Sequence, residues 1–596
     1  MYNDYAMKHA FHIPVLGLAF SIDSPIKVAK YGISSVLSIV DDELIERVRQ
    51  YYAQANGLPF IAIDKGAIDA RAHRITAYLN LVQELVDNQI KRIKEETFAI
   101  GSDLNKYFEL LSDKSKLKSL YNKMLKVTDK GLQAALQEEL RQAITPGSID
   151  VNIMSKVDKL NLNKDGEVLP EVFSDALAAL RGFATSTLSS AMVLSAGMNP
   201  RLYNYLAAFD CFYPDQDGLL QKKIVLKVSD YRSAYIQAKY LAKKGIWVSE
   251  FRVESGLNCG GHAFATEGLL LGPVLEEFKQ KKQDLLQELL PIYQHALAEK
   301  GVDSAIAPSI RFTVQGGIGT ADEQDFLCTY YDFDGTGWGS PFLLVPEATT
   351  VDPETLQALV AAKKEDFYLS GASPLGVPFN NFSGASAEKK RLERIEKGRP
   401  GSPCNKKYLV SSSEFGKEPL CTASRVYQHY KIKELESLDL APVERESRYQ
   451  QIVEKTCLCQ GLASSAYINY GLQKKKEDLA VSICPGPNLA YFDQTYSLKE
   501  MVDHIYGRKQ ILLKPDRENM FINELAIYID YLKKHIASSS PDLKNLKYIA
   551  KFKSELHKGI QYYADLAAKF SLNNSLNRLN FLEGLKYQEQ RLALIN

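Results

Sequence analysis

The run Arg311-Phe-Thr-Val-Gln-Gly-Gly-Ile-Gly-Thr320 carries an apolar stretch directly into consecutive glycines. Glycines at the end of a strand let backbone N–H groups come close to a phosphate, and a following helix adds the positive end of its dipole. A second turn of this kind follows at Gly335-Thr-Gly-Trp-Gly-Ser340. Two ordinary tight turns are the competing account. After two consecutive strands they match the phosphate site of a (β/α)₈ barrel, built from the loops after strands 7 and 8. In Val253-Glu-Ser-Gly-Leu-Asn-Cys-Gly-Gly-His262, the glycines Gly260 and Gly261 set an imidazole just past the end of another predicted strand. A lone histidine is more often structural. On the catalytic face of a barrel, and titrating near neutral pH, His262 becomes a candidate acid or base. Cysteines are the third group, with Cys404, Cys421, Cys457, Cys459 and Cys484 gathered late in the chain and Cys211, Cys259 and Cys328 scattered earlier. Cys457 and Cys459 lie two apart, and Cys404 and Cys484 sit in proline-containing turns, so the five are candidates for an iron–sulfur cluster or a zinc ion. No C-x₂-C pair exists, and buried apolar thiols are the competing account.

These residues need elements to hold them. His12 to Phe20 and Gly32 to Val40 read as strands joined by a short helix from Ser24 to Tyr31, with Ser24-Pro25 at its start. A helix from Asp41 to Ala55 follows, so strand and helix alternate from the beginning. From about Ala67 to Leu140 the chain is rich in Leu, Lys, Glu and Gln and reads as a helical insertion. Alternation resumes with the strand Lys223 to Ser229, the helix Tyr231 to Lys244, the strand Ile246 to Val253, a helix from Gly272 to Gly301 and the strand Ser309 to Val314. This rhythm predicts parallel βα units. The expected class is α/β, a (β/α)₈ TIM barrel with a large helical insertion and a mostly α-helical C-terminal region. The expected divisions are 1–66 for the first barrel units, 67–170 for the insertion and 171–382 for the rest of the barrel. A cysteine-containing segment at 400–490 and a helical region at 491–596 complete the chain.

Across 596 residues, 45% hydrophobic and 24% charged, the composition is globular. Lys and Arg number 73 against 72 Asp and Glu, a formal charge of +1, which offers no field for nucleic acid or an anionic membrane. The most apolar runs are far shorter than the ~20 residues of a membrane helix. Asp4, His12 and Pro14 argue against a signal peptide, so a cytoplasmic chain with reduced cysteines is expected.

With these motifs in order, the sequence resembles the nitronate monooxygenase (2-nitropropane dioxygenase) family of FMN-dependent barrels, which includes the flavin-type enoyl-acyl-carrier-protein reductases. The likeness runs through Gly-Gly-His, Gly-Gly-Ile and Gly-Trp-Gly-Ser-Pro-Phe to Ser-Gly-Ala-Ser-Pro-Leu-Gly-Val-Pro-Phe near Asn380. It covers about 9–60 and 175–382. It implies an FMN oxidoreductase in which Gly316, Gly317, Gly339 and Ser340 hold the phosphate, Gly260 and Gly261 border the cofactor, and His262 is the active-site histidine. Lys227, otherwise a strand lysine reaching toward water, is then similar to the basic residue such barrels place near the flavin's N1 and O2 edge. Asn258-Cys259 before the motif and Ala-Phe-Ala-Thr-Glu267 after it depart from the nitronate-oxidising pattern, leaving open an ene-reductase, a glutamate-synthase-like barrel, or a non-catalytic scaffold. The expected partners are a small-molecule substrate, with NAD(P)H open as reductant and a second copy or another protein open at the C-terminal region.

Overall fold

Eight parallel strands close a barrel in the computed structural model, which describes residues 8–154, 158–163, 166–195, 197–258, 267–302, 308–513, 517–538, 542–569 and 575–595. The strands are β1 (Phe11–Ile13), β2 (Ser34–Ser38), β3 (Ile149–Ile153), β4 (Ser190–Leu194), β5 (Lys222–Val228), β6 (Val248–Glu254), β7 (Arg311–Gln315) and β8 (Gly335–Gly337). Each pairs with its neighbour in sequence, and β8 returns to β1 through Phe11 opposite Thr336 and His12 opposite Gly337. Every residue of β2, β4 and β8 is buried, as a sheet wrapped by helices requires.

Local chemistry accounts for the elements. Asp41 caps the helix Asp42–Ala55 by accepting from the Leu44 N–H, and Asp230 and Thr320 cap the helices after β5 and β7 in the same way. The first strand ends at Ile13, earlier than the apolar run suggests. Pro14 has no N–H for the ladder, and Gly17 turns the chain at φ +85°. Gly335 to Gly337, expected as a turn, is the last strand itself, and the turn begins at Trp338.

Between β2 and β3 lie the helices Ala70–Glu95, Asp103–Leu110, Lys116–Lys126 and Lys130–Gln142. The first belongs to the barrel's outer ring: Gly182, on the helix after β3, packs so closely that a Cβ there would sit 2.7 Å from the Ala72 carbonyl oxygen. The stretch 67–170 therefore contains a barrel helix and β3 as well as the added helices. After β8 come an antiparallel pair, β9 (Phe367–Ser370) and β10 (Phe379–Phe382), and then helices to the end. The charged stretch near 382–399 is not a break in packing. In its helix Ser386–Glu396 the Ala387 N–H donates to the Val481 carbonyl, and Arg394 pairs with Asp478.

Candidate active site

The C-terminal ends of the strands surround a cleft of about 1000 Å³. Val15, Gly17 and Leu18 from the loop after β1 form one wall, Asn152 to Met154 another, and Leu409, Leu458 and Leu462 from beyond the barrel close it. Lys227 and Glu254 lie in its lining, 6% and 4% exposed, with Nζ 3.1 Å from Oε1. That oxygen also accepts from Asn258 Nδ2 at 2.7 Å and Gln315 Nε2 at 2.6 Å. The other carboxylate oxygen of Glu254 is buried with no partner among the described residues. A buried acceptor left unmatched is costly, so this atom invites an N–H or O–H from whatever enters the cleft.

Deeper on the barrel axis, Gln315 Oε1 lies 3.3 Å from His12 Nε2. Burial, then the Arg252 charge, drive the His12 pKa down to about 3, so His12 is neutral. Arg252 stands 2.7 Å from Glu250 and 3.4 Å from Asp150. Burial alone would raise the Glu250 pKa, but Arg252 and Arg311 bring it down to about 2, whereas at Asp150 burial prevails and the pKa rises. The sequence reading missed this charged interior, because alternate residues of β3, β6 and β7 converge only once the barrel closes.

The two glycine turns sit where expected, after β7 and β8. Gly316 and Gly317 have φ of +107° and +80°. A Cβ on Gly316 would meet Ser255 Oγ at 2.5 Å, and one on Gly317 would meet Leu257 Cδ1 at 2.4 Å. Four successive carbonyls of the first turn are pinned. Ser255 Oγ donates to Gly316, Arg517 to Gly317, Asn488 Nδ2 to Ile318, and His504 Nε2 lies 2.9 Å from the Gly319 oxygen. By contrast, the amides of Gly317, Ile318, Gly339 and Ser340 donate to no protein acceptor among the described residues. Ser340 is buried, and a Cβ on Gly486 would come within 2.8 Å of its Oγ. Glycines that leave no room for a Cβ, with anchored carbonyls and unmatched amides, form the donor set a phosphate requires, so these residues fit a phosphate-bearing cofactor. The Gly319 amide is not part of that set, since it donates to Glu323 Oε2.

The anchors Asn488, His504 and Arg517 were not singled out from the sequence. Each lies far along the chain from its turn, and no local pattern announces them. Cys259, Gly260, Gly261 and His262 lie outside the described residues, directly after Asn258 at the rim. The cysteine expectation is corrected in one respect. Cys404, Cys421, Cys457, Cys459 and Cys484 do gather, packed with Ala372, Phe379, Leu409 and Leu458, but no group of His, Cys, Asp or Glu among the described residues is arranged to hold a metal. The described cysteines are all free thiols, and no described helix is long and apolar enough to cross a membrane.

No family model matches the chain, and no curated protein does. Among solved structures, the enoyl reductase domain of MlnA from the macrolactin biosynthesis cluster of Bacillus amyloliquefaciens aligns over 89% of this chain and 98% of its own, at 12% identity and a TM-score of 0.39. FabK from Thermotoga maritima aligns over 89% and 96%, at 11% identity and a TM-score of 0.33. The first is by name an enoyl reductase, one branch of the family whose motifs this sequence resembles. At such TM-scores the alignments carry no argument for this chain, and the barrel rests on its own strand pairing.

Proposed function

We propose that the chain is an FMN-dependent oxidoreductase acting on a small organic substrate in the cleft at the C-terminal mouth of the barrel. The observation that carries this reading is the pair of glycine turns after β7 and β8, with pinned carbonyls and unmatched amides, beside a cleft lined by Lys227 and Glu254. Gly316 and Gly317, with Gly339 and Ser340, would hold the phosphate through backbone N–H groups. Bound there, FMN would supply two-electron redox chemistry. Lys227 places a fixed cation in the cleft, where it stabilises negative charge that develops during reduction, and Glu254 keeps that cation in place. Gly260 and Gly261 would border the cofactor, and His262 would move the proton. The lining is largely apolar, with Val15, Leu18, Ile153, Leu409 and Phe379, which favours a substrate with a hydrocarbon portion over a small polar nitronate. Within the family resemblance this leans toward reduction of an activated alkene, with NAD(P)H as donor. Free thiols throughout the described chain fit a reducing compartment, and we place the protein in the cytoplasm.

The test is the colour and composition of the purified full-length protein. A flavin absorption spectrum, with FMN released on denaturation in a near-stoichiometric amount, is the expected result. A colourless protein that takes up no added FMN overturns the reading. Bleaching by NADPH under anaerobic conditions is expected for the reductive assignment, and its absence shifts that assignment to direct substrate oxidation.

A further inference from the structure

A second cleft, of about 580 Å³, opens between the helix Ser386–Glu396 and the segments around Cys404 and Cys457. Its walls carry Lys390, Arg391, Arg394 and Lys455 against the single acid Asp478. Arg394 pairs with Asp478, Arg391 with Glu388 from its own helix, and Lys455 donates to the Gly371 carbonyl, while Lys390 is exposed. In the same wall, Gln460 Nε2 is buried with no acceptor. A cleft with surplus positive charge and an unmatched donor suits a small anionic molecule.

Two cysteines of one packed cluster lie at the edge of this cleft. Cys404 lines it and is partly exposed, while Cys421 is 4% exposed behind. Their segments run side by side through a parallel bridge between Ser402 and Ser424. The Ser402 N–H donates to the Ala423 oxygen at 3.0 Å, and the Arg425 N–H to the Ser402 oxygen at 2.9 Å. Beside this bridge Cys404 packs against the buried cluster that contains Cys421. Cys404 itself is held at φ +58°, in the left-handed region a non-glycine residue rarely occupies. Interaction with the Cys421 thiol, opposed by burial and helped by the Lys407 N–H and charge, draws the Cys404 pKa below the ordinary thiol value. The same interaction and burial push the Cys421 thiol up, and burial raises Cys457, the other thiol of the cleft. An accessible thiolate backed by a buried protonated thiol is the arrangement thiol–disulfide exchange uses.

We propose that Cys404 and Cys421 form a dithiol–disulfide couple, with the basic cleft beside them taking the disulfide of a small anionic thiol as its oxidant. In the first step the Cys404 thiolate attacks one sulfur of the bound disulfide. A protein–ligand S–S bond forms, the ligand's S–S bond breaks, and one ligand thiolate leaves and takes up a proton. Cys421 then loses its proton and attacks the Cys404 sulfur, forming the Cys404–Cys421 disulfide and releasing the second ligand thiol. Two electrons pass from the protein thiols to the ligand, and each chain gains one disulfide while two small thiols are released. The couple stands whether or not the barrel mouth binds a flavin.

The reduced full-length protein is incubated with glutathione disulfide at neutral pH, and peptide mass mapping follows the thiols. A Cys404–Cys421 link with release of two glutathione molecules is expected. Cys421→Ser should stop at a glutathione adduct on Cys404, and Cys404→Ser should give neither adduct nor link at this pair. Lys390→Glu should slow the reaction with glutathione disulfide several-fold while leaving that with uncharged hydroxyethyl disulfide unchanged. As a check on the unmutated chain, iodoacetamide should alkylate Cys404 about ten-fold faster than Cys421 or Cys457. A wild-type protein that forms no Cys404–Cys421 link, or that is first modified at another cysteine, overturns the proposal. Equal slowing of both disulfides in Lys390→Glu overturns the assignment of the cleft.

Discussion

One oxygen of Glu254 accepts from Lys227, Asn258 and Gln315, while the other accepts from nothing among the described residues. The carboxylate is thus fixed in place yet unsaturated, which suits a group meant to hold both a cation and a ligand. Removing the cation alone leaves a buried charge. Lys227→Met should therefore destabilise the fold by about 3–5 kcal/mol in urea unfolding. Lys227→Met with Glu254→Gln should recover much of that loss, because no unpaired charge remains. If the double variant is no more stable than the single one, Lys227 serves packing rather than pairing. At the glycine turns, Gly317→Asp adds a Cβ 2.4 Å from Leu257 and a like charge beside the proposed phosphate. A variant that purifies folded with a full complement of flavin would move the phosphate site elsewhere. His262→Ala should leave the flavin spectrum nearly unchanged and lower turnover by roughly 10² to 10⁴-fold, and unaltered activity across the neutral range would make His262 structural. The turn glycines and Lys227 were legible at this scale because spacing after a strand is local information. Glu254, Gln315 and His12 were not, because their meeting depends on strands far apart in sequence.

At the scale of elements, the helix Met520–Ser538 is fastened to the barrel by a buried carboxyl. Glu524 is 1% exposed and accepts from the Leu271 N–H at 2.8 Å. Burial raises its pKa from 4.5 to about 7, against the opposing pull of the Leu271 and Gly256 amides and the Tyr563 and Tyr528 hydroxyls. A carboxyl that holds its proton longer when folded supports the fold fully below its unfolded pKa. That support then declines as pH rises from 4.5 through about 7. The decline should be on the order of 3 kcal/mol, followed by unfolding midpoints across this window. Glu524→Gln should flatten the profile, and an unchanged slope would mean that Glu524 ionises freely in the folded protein. Gly256, on the loop that leads toward His262, packs against Tyr528 of the same helix, where a Cβ would lie 2.5 Å from the ring. The helix itself was legible from composition. Its burial of a proton was not, since an isolated Glu in a helical run reads as solvent-facing.

For the molecule as a whole, the alternation of strands and helices was enough to indicate a parallel barrel, and β5, β6 and β7 lie within a few residues of their expected places. The C-terminal half, by contrast, read as an appendage of uncertain use. Its role emerges from three contacts with a single turn: Asn488 on Ile318, His504 on Gly319 and Arg517 on Gly317. The Arg517 side chain is buried and also pairs with Glu323 at 2.7 Å, which in turn accepts from the Gly319 amide. The region after 400 therefore shapes the phosphate turn, and the two halves should not function apart. Arg517→Ala removes a buried cation, leaves the buried Glu323 charge without its counter-ion and the Gly317 carbonyl without its donor, and should cost about 3–5 kcal/mol with loss of bound flavin. A chain ending at residue 399 goes further, because it also uncovers Leu344, Trp338 and the apolar wall built by Leu458 and Leu462. Such a chain should bind a hydrophobic dye and hold no flavin even when FMN is supplied in excess. If the truncated barrel is instead folded and yellow, the turn is self-supporting and the C-terminal region has another purpose.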